Sequence, residues 1–211
     1  MAILQDIHGR KMRKLRISVT DRCNFRCFYC MPEDVNWLDR EEILRFEEIV
    51  RLAKIFASLG IQKIRLTGGE PLMRKNLPLL ISFLKQIPQI QQISITTNGY
   101  LFPLYAEKMK KAGLDSVNFS LDTLRRDRFA QFCQIDALER VLESISLAKK
   151  FHFLPVKVNC VVIRGFNEDE IGSFLEWAIA QQVIVRFIEF MPFDGRGMWH
   201  SRRVFSMSEI L

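Results

Sequence analysis

The sequence predicts a parallel α/β fold in which six strands form a partly closed barrel and helices cover its outer face. From residue 15 onward, strand-like apolar runs alternate with amphipathic segments that are long enough to be the crossover helices of a parallel sheet. In each strand-like run, alternate residues are apolar and the residues between them, here called the polar parity, are repeatedly polar. Strands buried on both faces are instead apolar throughout.

The predicted elements follow one another along the whole chain. Strands are expected at residues 15–20, 63–67, 92–97, 116–121, 156–163 and 183–190. Helices are expected at residues 40–59, 77–87, 103–112, 135–151 and 168–180. Gly60 and Gly113 fall where helix C-caps belong, because glycine readily adopts the left-handed conformation that ends many helices.

The polar residues at alternate strand positions indicate whether the sheet closes into a barrel. The residues at the polar parity are Arg16, Ser18, Thr20, Arg65, Thr67, Ser94, Thr96, Asn98, Asn118, Ser120, Asp122, Lys157, Asn159, Glu189 and Met191. Unpartnered polar groups are costly in a packed core, so inward-facing polar positions on successive strands are typical of a hollow barrel that holds a ligand. An open doubly wound sheet with some of these positions in solvent is the alternative, and the barrel is favoured.

Composition and charge limit the class of protein. The 211 residues are 48% hydrophobic, which is enough apolar material for one domain, residues 1–211, and little more.

The first apolar stretch ends after four residues, so neither a secretory signal nor a membrane span is predicted, and a cytoplasmic location is expected. The net charge of +7 is spread among alternating acidic and basic residues. Nucleic acid is therefore not an expected partner, and attraction of phosphates or polyanions is the alternative.

Three of the five cysteines lie within eight positions, at Cys23, Cys27 and Cys30. They follow the first strand directly, at the end of the barrel where active sites form. Such crowding is a poor arrangement for disulfides in a chain of this length. Three thiolates can hold three irons of a cubane cluster and leave the fourth iron open to another ligand.

Structural zinc is the alternative for these thiols, and it needs a fourth protein ligand. His8 lies before the first strand, and Cys133 and Cys160 each stand alone. Free cysteines of this kind usually behave as small core residues. The sequence therefore favours an iron-sulfur cluster over zinc.

The second strand ends in Thr67-Gly68-Gly69-Glu70-Pro71. Paired glycines let a backbone approach a ligand closely, and the glutamate adds an acceptor for a cationic group. The segment lacks the Gly-Lys-Ser/Thr of a phosphate-binding loop. Alone it would be an ordinary strand-to-helix turn, but after the three cysteines it is interpreted as part of a site.

Several motifs resemble those of one enzyme superfamily. They read RISVTDRCNFRCFYCMPE, IRLTGGEPL, ISITTNG, VNFSLD, VKVNCVVIRGFN and IEFMP. These motifs resemble the radical S-adenosylmethionine (SAM) enzymes and, among them, the GTP 3′,8-cyclases, the molybdenum cofactor biosynthesis protein A family. The resemblance covers nearly all of the chain and implies a partial (βα)6 TIM-like barrel.

The resemblance also implies roles for single residues. The cluster ligands would be Cys23, Cys27 and Cys30, with SAM chelating the open iron. The SAM contacts would be Tyr29, Gly69, Ser120 and Met191, with Glu70 at the SAM ammonium group. The GTP contacts would be Arg16, Arg65, Thr96 and Lys157, all on the polar parity of their strands. Three cations in a lumen require neutralisation, which a triphosphate would supply. For any one of these three cations, a salt bridge with Glu189 or Asp122 is the alternative to binding the triphosphate.

The implied reaction begins when an external one-electron reductant drives cleavage of SAM to methionine and a 5′-deoxyadenosyl radical. In the resembling cyclases this radical takes a hydrogen from C3′ of GTP, and the product radical attacks C8 of guanine in the first step of molybdenum cofactor biosynthesis. A homodimer is compatible with the resemblance.

The sequence departs from the family at its C-terminal end. Family members carry a further portion with three more cysteines for a second cluster and with conserved terminal glycines, and this sequence lacks both. Ser206 and Glu209 have the spacing of a capping box, so the sequence is expected to end where a helix starts. We interpret it as a truncated cyclase core. The alternatives are a cluster-binding protein without turnover and a radical SAM enzyme with another substrate.

Overall fold

The computed structural model describes residues 3–32, 34–192 and 196–210. Glu33, which ends the CMPE motif, lies outside the described residues. Within the described ranges, no helix is long and apolar enough to cross a membrane.

Six parallel strands form one sheet and follow one another in chain order. They are β1 Lys14–Ser18, β2 Lys63–Thr67, β3 Gln92–Thr97, β4 Ser116–Ser120, β5 Lys157–Val162 and β6 Ile184–Glu189. All six predicted strands are present, and the predicted parallel sheet is confirmed.

Helices connect the strands. They are α1 Phe46–Ser58, α2 Leu77–Lys85, α3 Phe102–Lys111, α4 Arg126–Cys133, α5 Leu138–Lys150, α6 Ile171–Gln181 and α7 Met207–Ile210. Short 3-10 turns at Arg40–Glu42, Pro71–Met73, Glu168–Glu170 and Ser201–Arg203 precede α1, α2, α6 and α7. Gly60 and Gly113 adopt φ angles of 98° and 94° just after α1 and α3, which confirms the predicted C-caps.

Two helical regions differ from the prediction. The helix expected at residues 40–59 begins only at Phe46, because the Glu48 carboxylate accepts the Arg45 N–H at 2.7 Å and fixes the first turn there. Helix α4 was not predicted. Its first turn is charged, and its apolar face is short and consists of Phe129, Phe132 and Cys133, so the sequence pattern of a helix is weak.

The start of α7 agrees with the predicted capping box. Glu209 accepts the backbone N–H of Ser206 at 2.9 Å and its hydroxyl at 2.8 Å. These bonds occupy groups that a helix start would otherwise leave unpaired.

One face of the sheet is apolar and the other is polar, as the alternation in the sequence predicted. On the outer face, side chains such as Ile64, Leu66, Ile93 and Ile95 are at most 1% exposed. The helices α1, α2 and α3 follow one another on this side, and α3 also packs against α5. The core therefore lies between the sheet and its helices, and the polar face is left to line a lumen.

The sheet is curved into an open barrel. Desolvation is the main cause that lowers the pKa of Lys14 in β1, and the charges of Arg65 and of Arg186 in β6 lower it further, so Arg186 lies near Lys14. In a flat sheet these strands would be five spacings of about 4.8 Å apart, well beyond the distance of about 10 Å over which exposed charges interact. The barrel interpretation is confirmed over the open doubly wound sheet.

Candidate functional site

The three clustered cysteines lie on a segment that follows β1, here called the cysteine loop (residues 21–31). The end of β2 holds it by two backbone bonds, from Gly69 N–H to Thr20 C=O at 2.8 Å and from Glu70 N–H to Arg22 C=O at 2.7 Å. A Cβ atom at Gly69 would lie only 2.3 Å from the Asp21 carbonyl oxygen. Gly69 is therefore required for contact between two backbone segments, a role that the sequence did not reveal.

The opposite side of the cysteine loop rests on the C-terminal end of α4. The Arg26 N–H donates to the Cys133 C=O at 3.1 Å, and the Phe28 N–H donates to the Phe132 C=O at 3.0 Å. The Phe28 and Phe132 rings pack with their centroids 4.7 Å apart. The loop is thus held between the end of β2 and the end of α4.

The three thiols are free and occupy different environments. Cys23 and Cys27 are half-buried and Cys30 is exposed. Desolvation raises the pKa of Cys23 to about 11, and Glu70, Cys27 and Cys30 contribute to the increase. Desolvation also raises the pKa of Cys30 to about 11, with a contribution from Cys27. These mutual effects mean that the thiols lie near one another.

The three thiols have the residue type and number that an open cubane cluster takes as ligands. In the described part of the chain, no three His, Cys, Asp or Glu side chains converge closely enough to hold one metal ion. The Cys23 sulfur also faces two donors, the Phe25 N–H at 3.4 Å and the Asn98 amide at 3.9 Å. Hydrogen bonds of this kind stabilise thiolate ligands.

Glu70 is buried beneath the cysteine loop at 1% exposure. One carboxylate oxygen accepts the Leu72 N–H at 3.0 Å and the Thr97 hydroxyl at 2.7 Å, and the other accepts the Asn98 N–H at 2.7 Å. Burial raises its pKa to about 7 although these bonds oppose the shift. The carboxylate joins the ends of β2 and β3, and its predicted contact with the SAM ammonium group stays a prediction.

Tyr29 and Asp122 form a second buried contact at the same end of the barrel. The Tyr29 hydroxyl donates to Asp122 Oδ2 at 2.8 Å, and the Val161 N–H donates to Oδ1 at 2.8 Å. Desolvation raises the pKa of Asp122 to about 6. The tyrosine before the last cysteine of the triad is thereby fixed to the ends of β4 and β5.

The other predicted SAM contacts lie at the same rim. Ser120 is the last residue of β4, and Met191 follows β6 with 52% exposure. The predicted SAM residues are therefore all at the carboxyl ends of strands or on the cysteine loop, and their contact with SAM stays a prediction.

The predicted GTP residues lie deeper along the inner face. Arg16 is paired in register with Arg65, and Thr96 and Lys157 are both paired with Asn118. Lys14, Lys63 and Arg186 share this face and were not singled out from the sequence. Six cations therefore line one surface, and the charge of Arg186 lowers the pKa of Arg65 and of Lys157, after a larger effect of desolvation.

None of these six cations forms a salt bridge within the described ranges. The two carboxylates considered as their partners are used elsewhere. Asp122 binds Tyr29 and Val161, and Glu189 accepts the Met207 N–H at 2.5 Å. The interpretation of the lumen as a site for an anion is strengthened.

The predicted polar parity of β6 was wrong. The register pairs Asn159 with Arg186 and Val162 with Glu189. Glu189 therefore shares the face of the buried Val162, and Arg186 is the residue that faces the lumen. The strand carries polar residues at both parities, so only the register of pairing could decide between them.

Two buried amides have atoms without a hydrogen-bond partner among the described residues. They are Oδ1 of Asn118, which lies between Thr96 and Lys157, and Nδ2 of Asn24, which lies beside Cys23. A buried polar atom without a partner is costly. Asn118 lies on the polar face that the sequence predicted, whereas Asn24 was not singled out from the sequence.

The sequence pattern of the Radical SAM superfamily matches residues 17–178. The chain belongs to the radical SAM superfamily. It is 50% identical over 206 residues to a GTP 3′,8-cyclase of Syntrophomonas wolfei, which covers 97% of this chain and 63% of that protein. It is 47% identical to molybdenum cofactor biosynthesis protein 1 of Drosophila melanogaster, covering 99% of this chain and 37% of that protein. This radical SAM chain thus spans less than two thirds of the length of these relatives.

Solved structures agree on the fold of this radical SAM domain. Methylornithine synthase superposes with a TM-score of 0.74 at 17% identity, covering 93% of this chain and 59% of that one. SuiB of Streptococcus suis bound to S-adenosylmethionine superposes with a TM-score of 0.66 at 20% identity, covering 89% of this chain and 43% of that one. The partial barrel with parallel strands is the shared architecture.

Proposed function

We propose that this chain is the radical-generating and nucleotide-binding core of a GTP 3′,8-cyclase, which acts in the first step of molybdenum cofactor biosynthesis. The observation that carries the proposal is the row of six cations, none in a salt bridge within the described residues, beneath a loop with three free thiols. The relative named GTP 3′,8-cyclase, at 50% identity, supports the choice of GTP as the substrate, and the relative named molybdenum cofactor biosynthesis protein 1, at 47% identity, supports the pathway.

The cysteine loop would hold the cluster. Cys23, Cys27 and Cys30 supply three thiolates, which leave one iron of a [4Fe–4S] cluster open for SAM. When bound, the cluster and SAM together supply a 5′-deoxyadenosyl radical after one electron arrives from an external reductant. Residues at the rim then hold SAM and exclude water. They are Tyr29, Gly69, Glu70, Ser120 and Met191.

The inner face would hold the triphosphate of GTP. Arg16 and Arg65 are paired on β1 and β2, and Lys157 lies across the inner face on β5. Arg186 is near enough to Arg65 and to Lys157 for its charge to affect both. Cations crowded without carboxylate partners destabilise the free protein, and a triphosphate relieves this repulsion. Thr96 and Asn118 lie in register with Lys157 on the adjoining strands β3 and β4. Oδ1 of Asn118 has no hydrogen-bond partner among the described residues, so these two side chains can bind the sugar or base.

The first experiment is reconstitution with iron and sulfide without oxygen, followed by addition of SAM and dithionite. We expect 5′-deoxyadenosine, measured by mass spectrometry, and more of it when GTP is present. Cys27→Ala should bind less iron and form no 5′-deoxyadenosine. Cys160→Ala, which removes a buried thiol 1% exposed on β5, is the matched control.

The outcomes separate the parts of the proposal. A wild-type protein with full iron content and no 5′-deoxyadenosine would contradict radical generation. 5′-Deoxyadenosine that does not respond to GTP would contradict GTP as the substrate and leave the radical SAM core in place.

A further inference from the structure

A fourth thiol lies against one of the three cysteines of the loop. Cys133, the last residue of α4, is 7% exposed, and its sulfur lies 3.7 Å from the sulfur of Cys27. The two residues are 106 positions apart in the sequence. Cys133 has no assigned role in the function proposed above.

The contact is fixed by the backbone on both sides. Arg26, the residue before Cys27, donates its N–H to the Cys133 carbonyl at 3.1 Å. Phe28, the residue after Cys27, donates its N–H to the Phe132 carbonyl at 3.0 Å. The Phe28 and Phe132 rings, 4.7 Å apart, close the same junction. These contacts hold the two segments together and keep Cys133 next to Cys27.

The direction of the hydrogen bond depends on the state of Cys27. As a thiol, Cys27 donates its S–H to the Cys133 sulfur. As an iron ligand, Cys27 is a thiolate and has no proton to donate. The neutral thiol of Cys133 is then the donor, and Cys27 accepts.

We propose that Cys133 tunes the reduction potential of the cluster by donating an S–H hydrogen bond to the Cys27 thiolate. The inference rests on the proposed cluster. Reduction adds negative charge to the cluster and its sulfurs, and a donor at a ligand sulfur stabilises that charge. Cys133 is a positioning and tuning residue, and it does not replace any of the three ligands.

The test is an anaerobic redox titration of the reconstituted protein, followed by electron paramagnetic resonance of the reduced cluster. We expect Cys133→Ala to retain the wild-type iron content and to shift the midpoint potential to a more negative value. At a fixed solution potential, the ratio of reduced to oxidised cluster should fall about three- to tenfold, and tenfold corresponds to about 59 mV. Cys133→Ser keeps a hydroxyl donor, so its potential should lie closer to that of the wild type.

Cys160→Ala is the matched control, since it removes the other buried thiol, whose sulfur lies against the Asp122 carbonyl at 3.7 Å. Its potential should equal that of the wild type. Equal potentials for wild type, Cys133→Ala and Cys133→Ser at equal iron content would overturn the inference while leaving the cluster assignment intact. A wild-type protein that assembles no cluster would instead contradict the proposed function itself.

Discussion

At the scale of single residues, buried carboxylates hold the rim of the barrel together. Glu70 accepts three hydrogen bonds and joins the end of β2 to Thr97 and Asn98 at the end of β3. Asp122 joins Tyr29 of the cysteine loop to β5. Because each carboxylate is desolvated, each is more easily protonated in the folded chain than in the unfolded chain.

The pKa of Glu70 predicts how stability changes with pH. The folded-state pKa of about 7 is above the ordinary value of 4.5, so the folded state binds more protons between these pH values. The stabilising contribution is complete below pH 4.5 and is lost as pH rises through 7. Across this window, the free energy of unfolding of the wild type minus that of Glu70→Gln should fall by roughly 3 kcal/mol.

Urea denaturation at a series of pH values measures this difference. Glu47→Gln, at an exposed position of α1, controls for loss of a surface charge. A difference that rises with pH for Glu70→Gln would contradict the assignment of burial as the dominant cause.

At the scale of elements, α4 is the support of the cysteine loop. It is short, yet Phe132 contacts Phe28, Tyr29 and Phe166, with ring centroids 4.7, 5.8 and 5.3 Å apart. Its last two carbonyls accept N–H groups of the loop. The loop therefore depends on a helix that is distant in the sequence.

Phe132→Ala should destabilise the protein by about 3–5 kcal/mol, because it leaves a cavity where a fully buried ring was. Phe83→Ala, at a ring in α2 that is 36% exposed, should cost much less. Urea unfolding measures both, and the iron bound after reconstitution should fall only in Phe132→Ala. Equal losses of stability in the two variants would contradict the cavity argument, and equal iron content would show that α4 does not support the loop.

The sequence predicted the elements better than their partners. All six strands, the site of the three thiols and the helix start at Ser206 follow from local patterns. The contacts of Gly69 and Cys133 do not, because each depends on a segment that reaches it only in the folded chain. In β6, Arg186 and Glu189 stand at opposite parities, and only pairing with β5 determines which one faces the lumen.

At the scale of the whole molecule, the barrel separates two kinds of chemistry along its axis. Thiols and buried carboxylates lie at the carboxyl ends of the strands, and cations line the inner face below them. Lys14, Lys63 and Arg186 complete a positive surface of which the sequence indicated only Arg16, Arg65 and Lys157. The curvature of the sheet concentrates these charges, since it brings β1 and β6 toward each other.

This concentration of charge predicts the effect of removing single cations on GTP binding. Arg186→Ala and Lys157→Ala should each weaken GTP binding about ten- to a hundredfold, the value of one charge-assisted hydrogen bond, and the loss should shrink as salt is added. Lys108→Ala, at an exposed position of α3, should leave the affinity unchanged. Anaerobic calorimetric titration with GTP measures all three variants, and unfolding of the free proteins checks their stability. Wild-type affinity in both Arg186→Ala and Lys157→Ala would exclude the inner face as the triphosphate site, because these two residues lie within electrostatic reach of each other.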